Sequence, residues 1–447
     1  MKQLLIPVSL FGLLCCSKPG GSDPAQNPGP NPNPDPGTPT AEIFITGISP
    51  NSAEFVPVTI EGTGFSTTAA SNVVRIGGIP ATVTKATDKQ LEITLPANLN
   101  AGDHDVSVTV NAKTVTRTKG FHLIGWIVSN FAGTGDFGSA NGPGNLASFR
   151  IPSGIAIDNA GNFIVPDRNM IRKITPLGEV STIAGADASG HNDANGTNAR
   201  FAVVTSAVLD ANNNIYVADQ LNHCIRKITP AGDVTTVAGD HNKMGNDDGF
   251  GEKATFSLPY GVTINAAGTH LFVGDQSNHI IRKIDLATRE VTTVAGNGTS
   301  TRKDGVGLAA GIPSPGNLVF DRHGNLFITE KGGGKVRKMD VAGNVTTVGG
   351  PSAQQDVVIA PTHIAIDKDD NLFVTFSGMA LVKKYSPAGA ESTFAGAFTG
   401  PDLDDGPVNV VQFRRPEGIA IKYDAQGNTI YYVVDSQRKK IKMIKKQ

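Results

Sequence analysis

Acidic side chains recur through residues 125–447 at two fixed offsets, and regularly spaced carboxylates can bind a divalent cation or brace loops by pairing with cations. The first set closes a short apolar run: Asp167, Asp219, Asp275, Glu330 and Asp435, with Phe376 at the matching place in one copy. An Arg or Lys stands seven residues onward at Arg226, Arg282, Arg337 and Lys442, in reach for an ion pair. The second set lies eight residues before an apolar anchor: Asn141 before Phe149, Asp193 before Phe201, Asp248 before Phe256, Asp304 before Ile312 and Asp405 before Phe413, with Gly350 before Val358. Gly follows in four of them (Gly142, Gly249, Gly305, Gly406), so an Asx-Gly turn that docks the anchor is the first expectation. Calcium is the second expectation, because it takes roughly six to eight converging oxygens and one acid per copy at wide radius does not converge.

Such offsets require repeated elements. Residues 125–447 carry copies starting at Pro152, Val204, Pro259, Pro315, Pro361 and Pro416, and each copy reads as four short strands, such as Pro259 to Ile264, Leu271 to Asp275, Ile281 to Ile284 and Val291 to Gly296. A four-stranded unit cannot bury both faces alone, so neighbours must cover it, and six units predict a six-bladed β-propeller. The last unit supplies only three strands, ending at Lys440 to Ile444, while an orphan strand, Ile127 to Gly133, precedes the first. Pairing of the two predicts a closed ring without an exposed edge. The first residues of each innermost strand then face the axial mouth, where Tyr260, Asn317, His363 and Glu417 break the symmetry and are the candidate ligand-binding residues.

The pattern Pro-x-Gly-[Ile/Val], followed by Asp-x-x-Asn-x-x-Ile-Arg-Lys-Ile at Asp219 to Ile228 and Asp275 to Ile284, resembles the NHL repeat. The match weakens in the fifth unit, at Phe376 and Lys383-Lys384. Residues 41–124 hold short alternating runs bounded by Gly, Pro, Asn and Asp, which read as a β-sandwich. Within them, Ile48-Ser49-Pro50, Ile60-Glu61-Gly62-Thr63-Gly64-Phe65, Gly77-Gly78 and Thr94-Leu95-Pro96 resemble the immunoglobulin-like IPT/TIG domain. The expected fold is all-β: an IPT/TIG sandwich followed by a six-bladed NHL-type propeller.

Met1-Lys2-Gln3 precedes an apolar run from Leu4 to Leu14 that is too short to span a bilayer, so residues 1–15 read as a signal peptide. Leu13-Leu14-Cys15-Cys16-Ser17 resembles the bacterial lipobox, which implies lipidation of Cys16 and anchoring to the outer membrane through the lipid. Residues 16–40 then form a Pro/Gly/Asn-rich spacer, in which some two dozen residues at about 3.1 Å each reach roughly 70 Å.

With 39 Lys+Arg against 40 Asp+Glu, the chain has no broad positive field, so nucleic acid is excluded as an expected partner. The NHL resemblance extends to gluconolactonase-type propellers and an NHL-type lyase, which hold a divalent metal on the axis. Here Glu417, His363 and Asn317 make only a thin version, and no second carboxylate stands at the mouth to act as base. There is no His-Glu-x-x-His and no Lys-bearing phosphate loop. The expectation is therefore a binding module that takes a glycan or an envelope protein, with a scaffold or a metal-dependent lactonase or lyase as alternatives. A single Trp, Trp126, counts against a sugar platform. Membrane fractionation tests the anchor: Cys16→Ala is expected to release the protein into the soluble fraction, and continued retention would remove the lipidation reading.

Overall fold

The computed structural model describes residues 42–53, 57–96, 99–350, 360–399 and 402–447, so Cys16, the spacer and Val358 lie outside the described residues. Among those described, no helix is long and apolar enough to cross a membrane.

The N-terminal domain is built of antiparallel strands whose alternate residues point inward, as period-two patterning requires, with the two-residue strand Ser52–Ala53 as a parallel exception. Strand Ile79–Ala86 pairs with Val73–Ile76 on one side and with Gln90–Thr94 on the other, joining the two layers. Ile60, Ile76, Leu91, Ile93, Val106, Val108 and Phe121 fill the space between them. Gly62 is required by close approach, because a Cβ there would lie 2.0 Å from the Phe44 carbonyl oxygen and 2.4 Å from Phe65 Cζ. Phe65 is thereby seated in the core. A strand absent from the sequence reading, Lys113–Leu123, pairs with Gly102–Val110 across a tight turn at Asn111 and Ala112, both with positive φ.

Six antiparallel sheets follow, each with four main strands. In the sixth blade, Pro416–Tyr423, Thr429–Asp435 and Lys440–Lys446 are completed by Trp126–Ala132, with Ile444 opposite Val128 and Lys446 opposite Trp126. Val128 and Ile444 are fully buried, and Trp126 packs edge-on against Phe394 at 5.5 Å and Tyr431 at 5.3 Å. Second strands such as Phe163–Asp167 and Ile215–Asp219 are buried at every residue, because each blade is covered on both faces by its neighbours. In three blades a two-residue strand from the incoming loop adds a fifth strand outside the blade: Gly249–Phe250, Gly305–Val306 and Gly406–Pro407.

Closure of the ring thus depends on apolar contacts between the two ends of the propeller. Ile444→Ala is expected to cost about 3 kcal/mol by leaving a cavity in the closing sheet, read by denaturant unfolding. Val341→Ala, at a side chain 79% exposed, is expected to leave stability unchanged.

Candidate functional site

In the second, third and fourth blades both acidic sets converge on one buried guanidinium. Arg226, on the third strand of the second blade, binds Asp219 at 2.9 Å and Asp193 at 2.5 Å, and donates to the carbonyl oxygens of Asn192 and Arg200. Its guanidinium also lies 5.0 Å from the Phe201 ring. Arg282 repeats this with Asp275 at 3.1 Å, Asp248 at 2.9 Å and the Phe256 ring at 4.9 Å. Arg337 does so with Glu330 and with Asp304 at 2.7 Å. The second-set acid also accepts from the fourth strand, as Asp193 does from Thr236 N–H at 2.8 Å. The incoming loop is thereby pinned across its own blade.

Two details depart from the sequence reading. In the first blade the partner of Asp167 is Arg172, at 3.1 Å and five residues onward, because the intervening turn is shorter. In the sixth, Lys442 binds Asp404 and Asp405, both at 2.7 Å, while Asp435 is approached by Arg438 at 3.5 Å, so the expected Asp435–Lys442 pair does not form. Burial pushes the Asp275 carboxyl up to about 6, opposed by Asn278, the Ser257 N–H and Arg282. These acids are occupied as Arg partners, and among the described residues no group of three or more His, Cys, Asp or Glu could hold a metal.

The axial residues form a partition across the tunnel. Neighbouring innermost strands are tied by hydroxyls, Thr205 Oγ1 donating to the Tyr260 carbonyl at 2.6 Å and Ser153 Oγ to the Val204 carbonyl at 3.0 Å. Tyr260 and Glu417 meet on the rim side, where the Tyr260 hydroxyl donates to Glu417 Oε2 at 3.0 Å and Arg415 Nε donates to Oε1 at 2.7 Å. Burial, then Glu417, pushes the Tyr260 hydroxyl well up, so it keeps its proton. The Lys331 ammonium sits 3.6 Å from the Tyr260 ring centroid, and burial brings its pKa down to about 8. Together with Arg168, Gln220 and Ser436 these residues line a cavity of about 190 Å³.

Asn317 and His363 instead line a chamber on the opposite side of the partition. Asn317 donates to Ser206 Oγ at 3.1 Å, and the His363 ring meets that of Tyr260 at 6.0 Å between centroids. Of the four candidates, two therefore face each side. Arg168, Gln220, Lys331 and Ser436 were missed, although each directly follows a first-set acid, at Asp167, Asp219, Glu330 and Asp435. That adjacency was the available signal, since a residue one step past the strand end turns from the core to the mouth.

Fold and axis together define a class: an IPT/TIG domain followed by a six-bladed propeller of the NHL-repeat kind. Residues 44–122 match the IPT/TIG domain family. Over 178 residues the chain is 30% identical to NHL repeat-containing protein 2 of Bos taurus, a match covering 36% of this chain and 24% of that protein. The matched stretches span only 13 to 24% of the curated relatives' own lengths. Among solved structures, an auxiliary nutrient binding protein from Bacteroides thetaiotaomicron is similar with a TM-score of 0.58 at 15% identity, covering 92% of this chain and 99% of that one. An auxiliary nutrient binding protein from Bacteroides ovatus gives a TM-score of 0.55 at 16% identity with the same coverage. These structural likenesses are of fold.

The partition has a pH signature. Burial, then Lys331, brings the His363 imidazole down from 6.5 to about 3, so the folded protein holds it neutral while the unfolded chain takes up a proton below 6.5. Stability is therefore expected to fall as pH drops from about 6.5 toward 3. In urea unfolding at pH 7 and pH 4.5, His363→Gln should lose less stability between the two than the wild type; an identical loss would refute the buried neutral imidazole.

Proposed function

We propose that this protein is an envelope lipoprotein, lipidated at Cys16, that captures a small anionic ligand at the rim-side mouth of its propeller, the acid sugar of a glycan fitting best. One observation carries the reading. Three cations, Arg168, Lys331 and Arg415, border a cavity whose one carboxylate, Glu417, already accepts from Tyr260 and Arg415. Lys331 is half-buried and its contact is the face of Tyr260, with no carboxylate in ion-pair range among the described residues. A desolvated ammonium with only a distant carboxylate, Glu417, acting on it favours a ligand that brings an anion into contact. Ser153, Thr205, Gln220 and Ser436 add hydroxyl and amide groups suited to a sugar's own hydroxyls. The Bacteroides neighbours are auxiliary nutrient binding proteins, which agrees with a ligand-capturing role.

A second reading, a scaffold for another envelope protein, draws on large apolar side chains left exposed on loops between blades. These include Phe137, Met244, Phe250, Leu308 and Phe398.

Calorimetric titration of the full-length protein with trigalacturonate and with maltotriose separates the readings. Trigalacturonate is expected to bind and maltotriose not, with Lys331→Ala weakening binding by about ten-fold or more. Equal binding of both sugars, or binding indifferent to Lys331, would overturn the anionic-ligand reading.

A further inference from the structure

The second residue of each blade's second strand faces the next blade, and in five of the six blades it is aromatic: Tyr216, Phe272, Phe327, Phe373 and Tyr432. Phe373 meets Tyr431 at 4.6 Å and Tyr432 meets Phe163 at 4.2 Å between ring centroids, filling the seams on either side of the sixth blade. In three of the five, the lysine directly opposite on the third strand lies over the ring: Lys227 over Tyr216 at 5.9 Å, Lys338 over Phe327 at 5.9 Å and Lys384 over Phe373 at 5.8 Å. The first blade breaks the pattern. Ile164 stands there, opposite Lys173, and the seam it shares with the second blade holds a cavity of about 400 Å³ whose lining includes no aromatic ring. Lys173 borders this cavity half-buried, with no ion pair and no ring contact among the described residues.

Asp158 is the other charged group at the cavity, and the second blade shows what its position can bind. Asp158 and Asp210 hold matching turns: each takes two backbone N–H groups on Oδ1 and an Asn amide on Oδ2, from Asn162 at 2.7 Å and from Asn214 at 2.8 Å. Asp210 Oδ2 accepts one bond more, from the Tyr216 hydroxyl at 3.2 Å. With Ile164 in place of a tyrosine, the same acceptor position on Asp158 is left open beside the cavity.

We propose that the seam between the first and second blades is a binding site for a small phenol, independent of the rim-side mouth. The guest's ring packs against Ile164, Ile183, Leu209 and Ile215 beside the Lys173 ammonium, and its hydroxyl donates to Asp158 Oδ2. It thereby repeats from outside the chain what Tyr216, Lys227 and Asp210 do inside the second blade. The chemistry selects that class. A saturated ring would offer Lys173 no π face, and a ring without a hydroxyl would give Asp158 no donor. A carboxylate in the hydroxyl's place would be repelled by Asp158. Size agrees, since an apolar cavity of roughly 150 Å³ is enough for benzene.

Ligand-observed NMR titration of the full-length protein tests the site with p-cresol and with 4-fluorotoluene, which is of similar shape but has no O–H. The cresol is expected to bind saturably and about ten-fold more tightly than 4-fluorotoluene. Lys173→Met, which gives the first blade the residue type that Met443 supplies opposite Tyr432 in the sixth, should weaken both probes by about three-fold. Ile164→Tyr, which gives the first blade the ring and hydroxyl that the second already carries, should abolish binding of both; if it fails to fold, Leu209→Trp, which fills the seam from the second blade, decides. Absence of saturable binding, equal affinity for the two probes, undiminished binding by Lys173→Met, or wild-type binding by a folded filled variant would overturn the proposal. So would binding of N-acetyltyrosinamide with none of p-cresol, which would make the seam a dock for a partner's tyrosine.

Discussion

The propeller is organised by a buried guanidinium shared between two acids. In the second, third and fourth blades, one Arg on the third strand holds the acid that ends the second strand and the acid of the incoming loop. A buried charge with one partner removed is strongly destabilising, whereas a fully bonded one fixes geometry. The terminal nitrogens of each Arg also donate to loop carbonyls, as those of Arg282 do to Thr255 at 2.7 Å and Asp247 at 2.9 Å, while the buried Nε of Arg282 and Arg337 has no hydrogen-bond partner among the described residues. The triad therefore sets where each loop leaves the rim, and with it the residue just past the acid: Gln220, Gln276 and Lys331. The mouth inherits its positions from an interaction that no ligand touches.

The fifth blade shows what that interaction is for. Phe376 replaces the acid and is fully buried, Lys383 replaces the Arg, and its ammonium lies 5.4 Å from the Phe376 ring while pairing with Glu391 instead. The four strands still form and pair in the same order. Blade folding thus does not need the ion triad, in keeping with the near-neutral exchange of buried ion pairs for apolar packing. What the triad adds in the other blades is the register of the incoming loop.

Repetition made most of this architecture legible in the sequence. Asp-x-x-Asn-x-x-Ile-Arg-Lys-Ile announces an acid, a turn and the returning strand in a single line, and the orphan run at Ile127 finds its mate through the missing strand of the last copy. The shortfalls have local causes. Arg172 fell outside the seven-residue rule because the first blade turns through Arg168 and Asn169, where the second needs a 3-10 turn at Gln220–Asn222 before His223. Strand Lys113–Leu123 was hidden because its solvent side is Lys, Arg and Thr, and its hairpin uses Asn-Ala in place of the usual Asn-Gly. Tyr260, Asn317, His363 and Glu417 do lie along the axis, but their division into two sides was not legible. That division depends on which way side chains cross a closed ring, and no strand pattern records it.

The crossing itself follows from size alternation at one position. The third residue of each copy is Gly154, Ser206, Gly261, Asn317, His363 and Gly418 around the ring. The glycines are obligatory: a Cβ on Gly261 would lie 2.3 Å from the Gly316 carbonyl oxygen, and one on Gly418 2.7 Å from that of Ser153. They also vacate the axis, so the two long polar side chains of the fourth and fifth blades can reach across, Asn317 to Ser206 and His363 to within 3.2 Å of where a Gly154 Cβ would stand. Small residues on one half and long ones on the other make a septum out of a tunnel. Above it, charged residues from the strand-two ends dominate; below it, the aliphatic alternation that tapers each blade is left facing the axis. Two chambers of opposite character therefore arise from one ring of strands, because the rim takes its chemistry from loops and the far side takes it from the blade core.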